Sequence, residues 1–260
     1  FLLVIVLMTS CGEYQSLLKS NDYNLVYKKA IEYYNKGDYQ RAMNLLDGVR
    51  SVFVGQAKAQ NIAYYRAFCS YNMKDYQIAS DLFKQFIQTY PESSFAEECL
   101  YMMGFCDYKA SPKPRLDQQV TEKAIREFQL YLSRYPYSMR KDKVNTYMDE
   151  MRDKLSYKAY LSAKNYYLRE HYKAAVISLQ NCLKDYPGSK YREEIMYMLF
   201  VSKYQMAVNS VEDKKVERYN NAREEYYYFA DEYPNSRYAA DVKKMYEDIE
   251  AYLENYKFED

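Results

Sequence analysis

The chain has 260 residues, 48% of them hydrophobic, with 35 tyrosines, no tryptophan, a single histidine, and only six glycines and six prolines. That composition belongs to an ordered, helix-rich chain, and the length suits one large domain or an array of repeats. With 37 basic and 36 acidic residues the net charge is +1, which excludes the basic footprint of a nucleic-acid binder; nucleic acid is not an expected partner.

The first element is an apolar run over residues 1–8, FLLVIVLM. It is too short to span a bilayer, which takes about 20 residues, and it matches the apolar core of a secretory signal. No charged region precedes it, so the sequence is expected to begin within that signal. Met8-Thr9-Ser10-Cys11 resembles the lipobox of bacterial lipoproteins, with a small residue directly before a cysteine and Met8 where leucine is usual. The expectation is cleavage ahead of Cys11 and lipid on Cys11, where several acyl chains make a stable anchor. Residues 1–10 are then signal, 11–22 a lipidated linker, and 23–256 the folded domain. An ordinary signal peptide or a buried N-terminal strand is the alternative.

Further along, Tyr-Pro-x-Ser recurs at 90–93, 135–138, 186–189 and 233–236. Eleven residues before each of these tyrosines stands an alanine: Ala79, Ala124, Ala175 and Ala222. Four residues after the alanines come Phe83, Phe128, Leu179 and Tyr226. An earlier copy has Ala42 and Leu46, with Phe53-Val54 in place of Tyr-Pro. This ruler matches the tetratricopeptide repeat, a helix pair with a small residue early in its second helix. Alanine suits a close helix crossing, the residue four later fills the next gap on the same face, and proline ends the helix. The serines are placed to cap the following helix, and Gly37 suits a left-handed cap after the first.

The predicted fold is therefore all-α, an α-solenoid of five helix pairs. The pairs fall at 24–36/39–53, 58–73/76–89, 94–110/121–134, 141–169/172–185 and 192–209/214–232. A polar capping helix follows over 237–256. The array divides into N-terminal repeats, 23–138, and C-terminal repeats, 139–256. Residues 110–119 form a loop inserted into the third repeat, and 141–169 holds no Gly or Pro, which predicts a helix about 43 Å long.

Catalytic chemistry has little to work with. His171 is the only histidine, so a multi-histidine metal site or a histidine triad within one chain is excluded, and His171 reads as a turn residue. No Gly-rich phosphate loop occurs. The expectation is a non-enzyme without metal or cofactor beyond the lipid on Cys11. An exported chain could pair Cys69, Cys99, Cys106 and Cys182 in three ways. Cys99 and Cys106, if on one helix, lie about 10 Å apart along it, too far to bridge, and all four read as small buried apolar residues.

The first helix of each pair lines the inner face of such arrays. Counting back from the repeat alanine gives Asn24, Tyr27, Ile31 and Tyr34 in the first repeat and Asn61, Tyr64, Phe68 and Tyr71 in the second. The same offsets in the fourth repeat give Tyr157, Tyr160, Lys164 and Tyr167. An aromatic groove with two amides suits an extended peptide bearing aromatic side chains. The alternative is that these tyrosines pack between neighbouring helices.

A lipobox followed by five such repeats resembles the BamD family of outer-membrane assembly lipoproteins. The more specific matches are YMMGFCDY (101–108), the insert and helix at 116–138, and the long helix into the fourth repeat at 153–176. The resemblance implies a lipoprotein anchored on the periplasmic face of the outer membrane, within the machinery that assembles β-barrel proteins. It implies that the C-terminal repeats dock on the periplasmic domains of a BamA-like partner. It also implies that the N-terminal repeats receive the C-terminal strand of nascent barrel proteins, which usually ends in an aromatic residue. A lipid-anchored scaffold for another envelope complex, in secretion or polysaccharide export, is the alternative.

Overall fold

The computed structural model describes residues 12–257, and every regular element among them is a helix. A short α1 covers 12–18. Six longer helices follow: α2 (Tyr23–Asn35), α3 (Tyr39–Val49), α4 (Ala57–Asn72), α5 (Tyr76–Thr89), α6 (Ala96–Ala110) and α7 (Gln119–Arg134). Then come α8 (Lys141–Leu168), α9 (Tyr172–Asp185), α10 (Arg192–Val208), α11 (Glu212–Glu232) and α12 (Ala239–Lys257). The chain divides into two compact units, the first ending at Met151 and the second beginning at Arg152. The fold is an α-solenoid of tetratricopeptide-like helix pairs. None of the described helices is long and apolar enough to cross a membrane.

The repeat register is built as the alanine spacing predicts. Ala42, Ala79, Ala124, Ala175 and Ala222 are all fully buried, as are Leu46, Phe83, Phe128 and Leu179 four residues on. Burying each of these larger side chains contributes about 1.5–3 kcal/mol. The fifth repeat departs: Tyr226 is half-buried and stacks on Tyr246 at 4.0 Å, while Phe229 takes the buried place. In the third repeat Phe128 packs against Gly104, where a Cβ would stand 2.8 Å from Phe128 Cδ1. The glycine is thus what lets α6 and α7 approach.

The punctuation is also regular. Tyr90, Tyr135, Tyr186 and Tyr233 end their helices at nearly one conformation, with φ/ψ of −129/58, −127/65, −133/65 and −131/62. The proline that follows each excludes its neighbour from helical backbone. The serines do not cap the next helix as expected. Each stands too early, and its Oγ accepts from the backbone N–H two residues on, as Ser93 does from Phe95 at 3.2 Å. The same hydroxyl is tied to the first helix of its own repeat. Ser93 donates to Gln60 at 2.9 Å, Ser138 to Glu97 at 2.7 Å and Ser236 to Glu193 at 2.6 Å, and Ser189 accepts from Ser156 at 2.8 Å. At the turn inside the repeats, Gly37 (φ 80) has the predicted left-handed conformation. Lys74 (φ 68) and Glu170 (φ 60) adopt it at the matching places. In each, the next residue's N–H closes onto a carbonyl five residues back, as Asp75 does onto Ser70 at 3.0 Å, the pattern of a Schellman cap.

Two boundaries differ from expectation. Without a proline stop, α3 ends at Val49 rather than 53, and Phe53 turns inward, 4% exposed, against Tyr27. The stretch expected as a linker carries α1, whose Tyr14 and Leu17 are buried in the core of the first repeat. The insert is a loop, as expected, and it is tied: Gln118, buried, donates to the carbonyls of Lys113 and Leu116 and accepts from Thr121 Oγ1 at 2.7 Å. Cys69, Cys99, Cys106 and Cys182 are free and buried.

Candidate peptide-binding cleft

In the first unit, Asn24, Tyr27 and Ile31 of α2 and Asn61 and Tyr64 of α4 line one cleft of about 600 Å³. Helical periodicity brings these five to one face, since residues three and four apart stand above one another. Tyr34, Phe68 and Tyr71 do not line it. Tyr34 packs on Tyr39 and Tyr65, Phe68 on Tyr64 and Phe83, and Tyr71 on Tyr76 and Phe105. Tyr34 and Phe68 thus back the lining residues Tyr65 and Tyr64, whereas Tyr71 packs away from the cleft. Cys11 lies outside the described residues.

Several lining residues were not found from sequence. Lys58 stands one turn ahead of Asn61, outside the offsets counted from the alanine, and Phe95 belongs to a connector rather than a helix. Phe95 stacks obliquely on Tyr64 at 4.6 Å. Lys58 Nζ donates to Asn24 Oδ1 at 2.5 Å and lies 5.6 Å from the Tyr27 ring and 5.2 Å from the Phe53 ring. Cations over aromatic faces gain about 0.5–1 kcal/mol at exposed sites. Lys28, Glu32, Asn35 and Tyr65 also line it, and Glu32 is paired with Lys29 at 3.2 Å.

Tyr64 acts as a neutral donor. Tyr64 OH donates to Glu98 Oε2 at 2.8 Å, and burial, reinforced by that bond, pushes its phenol well above the ordinary value. Burial pushes the Tyr34 phenol up to about 12. Tyr64 therefore presents a neutral ring to the cleft, whose charged lining residues are Lys28, Glu32 and Lys58.

The corresponding face of the second unit is arranged differently. Tyr160 stacks on Tyr191 at 4.4 Å with the rings 10° apart. Lys164 Nζ donates to Tyr160 OH at 2.8 Å and pairs with Glu194 at 2.7 Å. The lysine there fills its own face. A separate cleft of about 650 Å³ in this unit is lined by residues including His171, Lys173, Ile177, Met206 and Arg218. His171 is the residue just ahead of α9, at the turn where the sequence places it.

A third feature is buried in the first unit. Asp107 is 1% exposed and Glu127 8%. Lys123 Nζ is 2.8 Å from Asp107, 3.7 Å from Glu127 and 3.9 Å from Asp81, and Ser80 Oγ donates to Asp107 at 3.0 Å. One lysine thus serves three carboxylates, and Glu127 Oε2 is buried without a hydrogen-bond partner. Burial, then the neighbouring Asp107, pushes the Glu127 carboxyl up to about 8.

A family model described as YfiO, outer membrane lipoprotein, matches residues 19–194 and 158–259. The chain belongs to the YfiO outer membrane lipoprotein family. This is a BamD-like family of tetratricopeptide proteins, and membership associates the chain with the outer membrane. A YfiO-family chain with this repeat fold is a protein-interaction scaffold. No curated protein matches the chain. Among solved structures, the TPR2AB domain of yeast Sti1, in a complex with pHSP90, is 14% identical with a TM-score of 0.40, covering 88% of this chain and 98% of that one. A TPR repeats protein from Bacteroides fragilis is 13% identical with a TM-score of 0.43, covering 89% and 99%.

Proposed function

We propose that this YfiO-family chain is a BamD-type lipoprotein of the outer-membrane β-barrel assembly machinery. It is anchored on the periplasmic face through lipid on Cys11 and works without catalysis or a further cofactor. Its second unit docks on the periplasmic domains of a BamA-like protein. Its first unit receives the C-terminal strands of nascent barrel proteins in the cleft between α2 and α4. The observation that carries this reading is the gathering of Asn24, Tyr27, Ile31, Asn61 and Tyr64 into one cleft in a chain of an outer membrane lipoprotein family. Amides there can pair with peptide backbone, and rigid aromatic rings offer contact area at small entropic cost.

The deciding experiment is cross-linking and pull-down of the native lipoprotein from its envelope. A BamA-like protein and barrel precursors are the expected partners, with Tyr64→Ala reducing precursor capture but leaving the BamA-like partner bound. Recovery of a secretion or polysaccharide-export complex in their place overturns the reading.

A further inference from the structure

One contact recurs along the inner face, and the place where it changes is informative. Tyr64 meets Glu98, 34 residues on, at 2.8 Å. In the second unit Tyr160 and Glu194 are also 34 residues apart, and both hold the Lys164 ammonium, at 2.8 and 2.7 Å. In both cases the following helix brings a carboxylate to the tyrosine. Counted by the same step, the position that answers Tyr27 is Asn61, a neutral amide lining the same cleft. The charged group beside Tyr27 is Lys58, 5.6 Å from its ring.

Lys58 contrasts with Lys164. Lys164 has Glu194, whereas Lys58 forms no ion pair among the described residues and rests on a side-chain amide and two rings. The adjoining cleft wall is Tyr27, Ile31, Tyr64 and Phe95. Lys28 lines the same cleft and likewise forms no ion pair among the described residues. A carboxylate brought by a ligand therefore meets a lysine already oriented, next to an aromatic wall. A chain's last residue carries its carboxylate and its side chain on one Cα, which matches a cation placed directly beside an aromatic pocket.

We infer that Lys58 reads the free C-terminal carboxylate of the bound peptide, held in place by Asn24 and by the rings of Tyr27 and Phe53, so that the cleft accepts chain ends rather than internal strands. The inference rests on the reading of the cleft as a peptide site and adds the chemistry of the recognised end. Charge-assisted hydrogen bonds of this kind are about twice as strong as neutral ones, so discrimination falls chiefly on this one contact.

The test uses the full chain and a fluorescent peptide copied from the last strand of an outer-membrane barrel protein, ending in phenylalanine. It is prepared as the free acid and as the C-terminal amide, and binding is followed by anisotropy. The acid is expected to bind at least about tenfold more tightly than the amide, a difference of about 1.4 kcal/mol. Lys58→Gln should bring the two together by weakening the acid alone, and Lys58→Arg should keep the preference. An amidated peptide with aspartate beside the phenylalanine separates a side-chain carboxylate from a chain end. If it matches the free acid, chain-end recognition is overturned. If native protein binds acid and amide alike, the role of Lys58 is overturned and the cleft reading stands. If no peptide binds, both fall.

Discussion

The inner faces of the two units start from the same helical offsets and arrive at opposite results. In the second, tyrosines stack flat on one another, and Lys164 is neutralised by Glu194. At the cleft of the first, rings meet at steeper angles, as between Tyr64 and Tyr65 at 88°, and Lys58 has no ion-pair partner among the described residues. A tetratricopeptide register dictates where side chains point. Whether that face is a binding surface depends on whether the next helix brings the complementary charge. At the step that brings Glu194 to Tyr160 and Lys164, Tyr27 has Asn61, and no carboxylate pairs with Lys58 among the described residues.

The comparison can be broken most severely where the first unit is packed. Phe128→Ala should cost about 3–5 kcal/mol, and Leu179→Ala at the matching place in the second unit about 2–5 kcal/mol. Both are measured by denaturant unfolding. The phenylalanine is expected at the upper end because Gly104 opposite it has no side chain to fill the space. Equal losses would mean the close approach of α6 and α7 adds nothing.

A smaller effect concerns pH. The Glu127 carboxyl titrates near 8 when folded, above its ordinary 4.5, so the folded state holds this proton more tightly than the unfolded chain. Stability from this group is greatest below the ordinary value and is lost as pH rises from 4.5 toward about 8. Glu127→Gln should flatten that decline in the unfolding midpoint and raise it at pH 8. A native midpoint that climbs over this range, with the variant following it, would contradict the assignment. Asp107 and Lys123 face the same group, Lys123 also lies 3.9 Å from Asp81, and the second unit has no lysine shared by three carboxylates among its described residues.

Smaller again is Glu194→Gln. Both side chains of the Lys164–Glu194 pair are partly exposed, so the loss should be at most about 1 kcal/mol. Its informative consequence is a second face with an unneutralised lysine, which should acquire a weak preference for acid over amide peptides. The smallest effect tests what the units share. Lys74→Gly and Glu170→Gly should each stabilise by about 0.5–1 kcal/mol, because glycine adopts the left-handed cap without the side-chain penalty. Thermal melts should show gains of similar size in the two.

The register was legible because alanine, the residue four later and proline each answer to a local constraint, and Ala79, Phe83 and Pro91 stand at fixed distances along the chain. The five cleft residues on α2 and α4 followed from helical periodicity applied to that register. Lys58 was not legible because its importance lies in the absence of a partner on another helix. The fate of Tyr34, Phe68 and Tyr71 was not legible either, since packing against Tyr39, Phe83 and Phe105 depends on how successive pairs lean together. Nor does the local pattern reveal the serine contacts, which join residues 33 to 43 positions apart.

Those serine contacts close each of the last four repeats upon itself, tying the connector that leaves a repeat to the helix that began it. Pulled from its ends, such a chain does not fray continuously. Each repeat resists until its tie parts and then pays out as a segment, so extension should proceed in discrete steps. The first pair, which ends in Phe53-Val54 and has no such serine tie among the described residues, is where the unravelling should begin.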